Sequence, residues 1–354
     1  MKKITLLSLS ITLCLNSWAS SAKQLITRLH NIQEKGIMFG HQDDTFYGTT
    51  WKWEDGRSDV KDVCGDYPAV LGVELGKIEL GSDVNIDGVP FERMKRDIVA
   101  HHQRGGIITI SWHPWNPVTG NNSWDPKGDA VAAVLPGGAQ HNKMVEWTKK
   151  VISFIKSLKT SDGESIPVIF RPWHEMTGGW FWWGCNSCTP EQYRQLFRMT
   201  YDQFAKAKVK NVVWSYSPGA DAKETEERFM TYYPGDKYVD VLGVDAYQYS
   251  STSDFISLVK NELAVMKSVA QKHKKLYALT EAGYRNTPQA DWFTQGLLPA
   301  IQGSGISYVL LWRNAWDQPE ENFGPAPEKS SANDFKLFYN NPLTLFVRDI
   351  EKIK

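Results

Sequence analysis

The chain has 354 residues, with 40 Lys plus Arg balanced by 40 Asp plus Glu. That balance supplies no basic field to draw nucleic acid and no acidic field to repel polyanions, so an uncharged partner is expected. The length is long for one sandwich and ordinary for a single barrel domain with elaborated loops.

The first residues set the compartment. Lys2 and Lys3 precede an apolar stretch, Ile4 to Leu15, that is too short to span a bilayer, and small residues follow at Ser17, Ala19, Ser20, Ser21 and Ala22. This pattern predicts an export signal over residues 1–22, cleaved after Ala19 or Ala22, and a catalytic domain over residues 23–354. The product is expected in a periplasm or secreted. Lipidation at Cys14 is the weaker reading, because Leu13 stands where a small residue is wanted. No later apolar run reaches membrane length, so a monomer free of the membrane is expected once the leader is gone.

After a first predicted helix, Gln24 to Glu34, β-rich runs recur with helical segments between them. The runs are Ile37 to His41, Ala69 to Leu75, Ile107 to His113, Pro167 to Glu175, Asn211 to Ser217, Val239 to Tyr247, Leu276 to Glu281 and Ile306 to Arg313. Several read VLGV, IITI, PVIF or YVLL, continuous apolar stretches suited to parallel strands buried on both faces. The intervening candidates are Phe91 to Arg104, Asn142 to Leu158, Pro190 to Ala207, Asp254 to His273, Gln289 to Gln302 and Asn333 to Lys352. After the fifth run only Thr225 to Tyr232 offers a helix. Eight such units predict an α/β chain folded as a closed (β/α)8 TIM barrel rather than an open doubly wound sheet.

The active face of such a barrel is built at the strand ends, which here are polar and aromatic. They supply His41-Gln42-Asp43, Glu74, Trp112-His113, Trp173-His174-Glu175, Tyr216, Asp245 with Tyr247, Glu281, and Trp312-Arg313. Glu175 in PVIFRPWHEM and Glu281 in KLYALTEAG would face each other across the rim. Two opposed carboxyl groups are the minimum equipment for cleaving a glycosidic bond through a glycosyl-enzyme intermediate. Between them lies Trp180-Phe181-Trp182-Trp183, of which at least one or two rings should be exposed to receive the apolar face of a sugar. The long loop from Trp115 to Gln140 is expected to shape one end of the cleft.

Beyond Cys14 there are three cysteines. In an exported protein Cys185 and Cys188 are expected to close a small disulfide loop, leaving Cys64 buried and odd. A redox pair or a zinc site finds no supporting ligands nearby.

The blocks SWHPWNPVTGNNSWD, RPWHEMTGGWFWWG, YPGDKYVDVLGVDAYQY, LTEAG and LLWRNAW, taken in order, closely resemble glycoside hydrolase family 26, best known for β-mannanases. The resemblance runs from about Phe39 to about Trp316 and implies a (β/α)8 barrel with its acid on strand four and its nucleophile on strand seven. It implies Glu175 as general acid and base and Glu281 as nucleophile, acting with retention at a carboxyl separation of roughly 5 to 5.5 Å. His174 takes the place before the acid that bears on the sugar 2-hydroxyl. The resemblance also puts His113 and Trp180 near the −1 subsite. Tyr247 and Arg313 are expected to stabilise the charge of Glu281, and Trp173, Trp180 and Trp182 to favour the protonated acid. Asp245 would be structural or hold Tyr247 and sugar hydroxyls, and Trp312 would line a further subsite together with Trp112, Trp115, Trp124 and Trp316.

The substrate implied is a neutral β-linked polysaccharide, mannan, glucomannan or galactomannan, attacked internally, with no cofactor and no metal. The rival within the family is release of mannobiose from a chain end, or action on xylan or mixed-linkage glucan. Two rivals lie outside it. A metal-dependent hydrolase using His41, His113 and His174 would want paired histidines on the first strand, where His41-Gln42-Asp43 stands. A carbohydrate-binding protein would keep the tryptophans but have no use for opposed glutamates.

Overall fold

The computed structural model describes residues 21–353, so the expected leader lies outside the described residues apart from its last two positions. Helix α1 (Ala22–Gln33) is capped by Ser21, whose hydroxyl accepts the Gln24 N–H. Its apolar stripe, Leu25, Leu29 and Ile32, packs against Met38, Val70, Ile107, Ile169, Val213 and Leu276 at the strand beginnings. α1 therefore plugs the bottom of a barrel.

The barrel is made of β1 (Ile37–Gln42), β2 (Val70–Glu74), β3 (Ile107–Trp112), β4 (Val168–Pro172), β5 (Val212–Tyr216), β6 (Val241–Gln248), β7 (Leu276–Tyr284) and β8 (Tyr308–Leu311). Each pairs in parallel with the next, β8 returns to β1, and β1 pairs β2, which closes the ring. A two-residue strand, β9 (Thr344–Leu345), adds to the outside of β1. Between the strands come α2 (Asp59–Cys64), α3 (Phe91–Gln103), α4 (Ala130–Val134), α5 (His141–Ser157), α6 (Pro190–Lys206), α7 (Glu226–Met230), α8 (Thr252–His273) and α9 (Leu298–Ile301). After β8 follow α10 (Ala332–Tyr339) and, beyond β9, α11 (Val347–Ile350). The eight expected strands are all present, buried on both faces as their apolar runs require.

Two expected helices differ from their sequence pattern. Gln289 to Gln302 becomes a π-turn, Phe293–Leu297, followed by the short α9, with Pro299 in the first turn of α9 where its missing N–H costs nothing. The pattern from Asn333 to Lys352 breaks after Tyr339, at Asn340-Asn341-Pro342, because the residue before proline is pushed out of the helical region. The chain then turns back as β9.

The expected Cys185–Cys188 disulfide is absent; both are free thiols. Cys188 turns its sulfur inward toward the Trp183 and Gly184 carbonyls, 3.4 and 3.6 Å away, while Cys185 is exposed beside Asn186. The turn before α6 thus sends the two sulfurs in different directions. Burial pushes the Cys188 and Cys64 thiols each up to about 12.

Candidate active site

The end of β4 carries unusual backbone. Trp173 and Glu175 adopt left-handed φ angles of 57° and 53°, each costing about 1–3 kcal/mol unless surrounding contacts over-determine it. Those contacts exist. The Glu175 N–H donates to the Ser217 carbonyl at 2.7 Å, Tyr193 OH donates to the Trp173 carbonyl at 2.9 Å, and Trp183 Nε1 to the His174 carbonyl at 2.8 Å. The rings of Trp182 and Trp183 are wholly buried, so they clamp the Glu175 loop from below and do not line a subsite.

Glu281 arrives by a different device. The β6–β7 register shifts at Val244/Asp245, leaving Thr280 as an extra residue so that Asp245 pairs with Glu281. Such a bulge re-aims the side chains beside it. Thr280 Oγ1 then donates to Asp245 Oδ1 at 2.7 Å, and Ser217 Oγ donates to the same oxygen at 2.8 Å.

Carboxylate oxygens of Glu175, Asp245 and Glu281 lie within 4.8 Å of one another. Their surroundings separate them chemically. Arg171, buried inside β4, donates Nη1 to Asp245 Oδ2 at 2.8 Å and Nη2 to Glu281 Oε1, and Tyr247 OH donates to Glu281 Oε2 at 2.6 Å. Among the described residues Glu175 receives only the Trp180 indole N–H, at 2.9 Å. Burial, then repulsion by Glu281 and Asp245, holds the Glu175 carboxyl well above the usual carboxylate range. Burial also raises Asp245, to about 7, against the pull of Arg171. One carboxyl thus keeps a proton while another is supplied with a cation and a hydroxyl donor.

A second chain of contacts reaches the same cleft. Glu74, at the end of β2, accepts from Ser111 Oγ at 2.5 Å, the His113 N–H at 2.8 Å and His113 Nδ1 at 2.7 Å. Burial opposes the His113 imidazolium, but Glu74 outweighs it and the net shift is upward. Glu74 is lowered for the reciprocal reason, burial being outweighed by His113. His113 Nε2 lies 3.0 Å from His174 Nε2. Burial, then Arg171 and His113, pushes His174 well below its usual range, so His174 is the neutral acceptor of that pair.

His113, His174, Glu175, Asp245, Tyr247 and Glu281 line a cleft of about 420 Å³ with Trp124, Trp180, Phe181, Tyr249, Trp312 and Phe323. Trp180 is 46% and Trp124 49% exposed, and Trp124 stacks on His113 with centroids 5.2 Å apart and planes 12° from parallel. His113, His174, Trp180, Asp245, Tyr247 and Trp312 are therefore gathered where the sequence placed them. Arg313 is not. It pairs with Asp87 at 3.0 Å, and the expected role beside Glu281 falls to Arg171, whose side chain points into the barrel from the strand. Trp173 and Trp182 are also away from the cleft, donating to Thr200 Oγ1 and the Pro114 carbonyl, and Trp112 donates to Glu79. Arg171 lay within the quoted RPWHE block, and its signal was a cation in an otherwise apolar buried strand, which needs a buried anion.

A closed (β/α)8 barrel with two carboxyl groups converging above its strands, in an aromatic cleft, is the architecture of a barrel glycosidase. The model for glycosyl hydrolase family 26 matches residues 16–296, and the chain belongs to that family. A family 26 β-mannanase from Bacteroides ovatus superposes with a TM-score of 0.92 at 44% identity, covering 95% of this chain and 98% of that one. An endo-β-1,4-mannanase double mutant from Cellulomonas fimi gives 0.86 at 33% identity, covering 94% and 76%. A mannan endo-1,4-β-mannosidase from Bifidobacterium adolescentis is 32% identical over 277 residues, 75% of this chain and 27% of that protein. One from Bacillus subtilis is 30% identical over 240 residues, 63% of this chain and 60% of its own length. The chain thus spans less than two thirds of the length of these two curated relatives.

Proposed function

We propose that this protein is an exported β-1,4-mannanase that cleaves within the mannan chain and retains anomeric configuration. The observation that carries the reading is the convergence of Glu175 and Glu281, within 4.8 Å, in opposite electrostatic surroundings. Glu281, given Arg171 and Tyr247 as donors, attacks the anomeric carbon. Glu175, kept protonated by burial and by its neighbours' charge, gives its proton to the leaving oxygen. Once Glu281 is esterified its repulsion of Glu175 is gone, and Glu175 takes a proton from the incoming water. Trp180 offers an indole plane to the sugar, and neutral His174 stands beside the reacting ring to meet its 2-hydroxyl. The basic start, short apolar stretch and small residues before Ala22 support export to a periplasm or beyond.

Glu281→Ala tests the assignment: mannan turnover is lost while mannooligosaccharide binding persists, and turnover at the parent rate excludes Glu281 as nucleophile. Activity that survives a chelator removes the metal-dependent rival. A second reading, release of mannobiose from a chain end, is favoured by Trp124, which the 115–140 loop lays over His113 at one side of the cleft. A time course of products separates them. Long oligomers appear early under internal cleavage, and mannobiose alone under the other.

A further inference from the structure

The catalytic cleft uses none of the outer face between α5 and α6, which carries the largest of the cavities described. A groove of about 920 Å³ runs between these helices, floored by Val145, Ile152 and Met199 and flanked by Lys149, Lys156 and Lys206. It spans α5 from His141 to Lys156, about 22 Å at roughly 1.5 Å per residue. One leaflet's hydrocarbon is about 15 Å deep, half of a core of roughly 30 Å. The groove has room for one acyl chain laid along it. Gln203 on its wall has both amide atoms buried with no hydrogen-bond partner among the described residues, an unsatisfied donor and acceptor of the kind an ester or hydroxyl satisfies.

At its lower end the groove meets a second cavity, of about 220 Å³, through their common residue Lys156. Lys159, Lys208 and Lys210 complete that lining. Helix C-termini favour cations, which accounts for Lys156, donating to the Ala207 carbonyl at 3.4 Å, and for Lys206. It does not account for Lys208, held at a left-handed φ of 57° where glycine is the favoured residue, nor for Lys210. The carboxylate on the groove wall, Asp202, faces Lys237 at 4.0 Å, and the nearby Asp162 and Glu164 share the tight turn that bears Lys159. The lysine cavity therefore holds a local excess of positive charge that the chain's overall balance conceals, whereas in the groove Lys149 is paired with Glu146 at 2.7 Å.

We propose that this groove and lysine cavity bind an anionic phospholipid of a membrane surface, the acyl chain in the groove and the phosphate among Lys156, Lys159, Lys208 and Lys210. Placement supports it. The lysines sit at the bottom of the barrel, before β4 and β5, at the end opposite the catalytic cleft, so occupation of the cavity leaves the cleft free. The sequence-based expectation is a protein free of the membrane, argued from the lack of a spanning run, and the proposal departs from it; among the described residues no helix is long and apolar enough to cross a membrane. The contact proposed is peripheral.

Flotation of the exported protein, free of its leader, with vesicles tests it. Binding is expected to phosphatidylcholine vesicles containing about 30 mol% phosphatidylglycerol, whose negative surface draws clustered lysines, and not to pure phosphatidylcholine, and to weaken as salt is raised. The variant Lys156→Glu/Lys159→Glu/Lys208→Glu/Lys210→Glu should lower binding by about 100-fold or more, at roughly fivefold per cation near an anionic surface. Ser153→Trp, at an exposed position in the groove, should weaken it without touching a lysine. Both variants should hydrolyse mannan at the parent rate, which shows that they fold. Equal binding to both vesicle types, no effect of the lysine changes, or full displacement by millimolar inorganic phosphate overturns the proposal, the last by making the cavity a free-anion site. Tighter binding to heparin than to anionic vesicles also overturns it, in favour of a soluble polyanion.

Discussion

Replacing Arg171 by methionine should damage both the fold and the chemistry, and the two effects can be separated. The guanidinium is 3% exposed and contacts Asp245 at 2.8 Å as well as Glu281. Unit charges at that distance attract by about 6 kcal/mol at an effective dielectric constant of about 20, and desolvation of both partners offsets part of this. Removing one member of such a buried pair costs about 3–5 kcal/mol, because the other charge is left uncompensated. Against a total stability of roughly 5–15 kcal/mol, that shifts the urea midpoint by about 1 M or more. Here Asp245 and Glu281 would both be stranded beside Glu175. The double variant Arg171→Met/Asp245→Asn removes one of the stranded anions, so it should recover at least half of the lost stability. It should not recover activity, since Glu281 still lacks its cation. A drop in kcat/KM of about 100-fold, near 2.7 kcal/mol, is expected in both. Urea unfolding and initial rates on a soluble mannooligosaccharide measure the two. A loss of stability below about 1 kcal/mol, or no recovery in the double variant, would refute the reasoning.

Trp180→Phe removes the indole donor to Glu175, a bond that favours the ionised carboxyl. Glu175 should then hold its proton to still higher pH, so the alkaline limb of the kcat/KM profile moves up while the maximum falls by about tenfold. Glu74→Gln tests the Glu74–His113 pair by its sign. The lowered Glu74 contributes stability above its ordinary 4.5 that is lost as pH falls through its folded value. The raised His113 contributes stability below 6.5 that is lost as pH rises through its own. The deficit of Glu74→Gln should therefore be greatest near pH 5 to 6, roughly between those two ordinary values, and shrink in both directions when unfolding is followed against pH. Because Cys185 and Cys188 are free thiols, dithiothreitol should leave the melting temperature of the folded protein unchanged; a drop of several degrees would mean that the pair is oxidised in solution.

Much of this was legible in the chain because the periods involved are local. A run such as IITI needs no partner to read as a buried strand, and eight such runs set the barrel. Glu175 and Glu281 were legible for the same reason: each sits at the end of a run, which fixes the rim it faces. The tryptophan cluster read less well. Its composition promised sugar-binding planes, yet only Trp180 reaches solvent, since the left-handed turn at Glu175 needs Trp182 and Trp183 packed beneath it.

By itself the sequence determined the barrel, the rim and the pair of carboxyl groups, because hydrophobic period and strand order are carried by residues close together in the chain. Only the tertiary structure decided which cation stands beside Glu281. Arg171 and Arg313 both stood near strand ends, but the facing of a strand residue depends on the neighbouring strands, and the Thr280 bulge turns Glu281 toward Arg171 while Asp87 takes Arg313. The same holds for charge. A sum over 354 residues is zero, whereas the field a surface presents depends on which lysines the folded helices bring side by side.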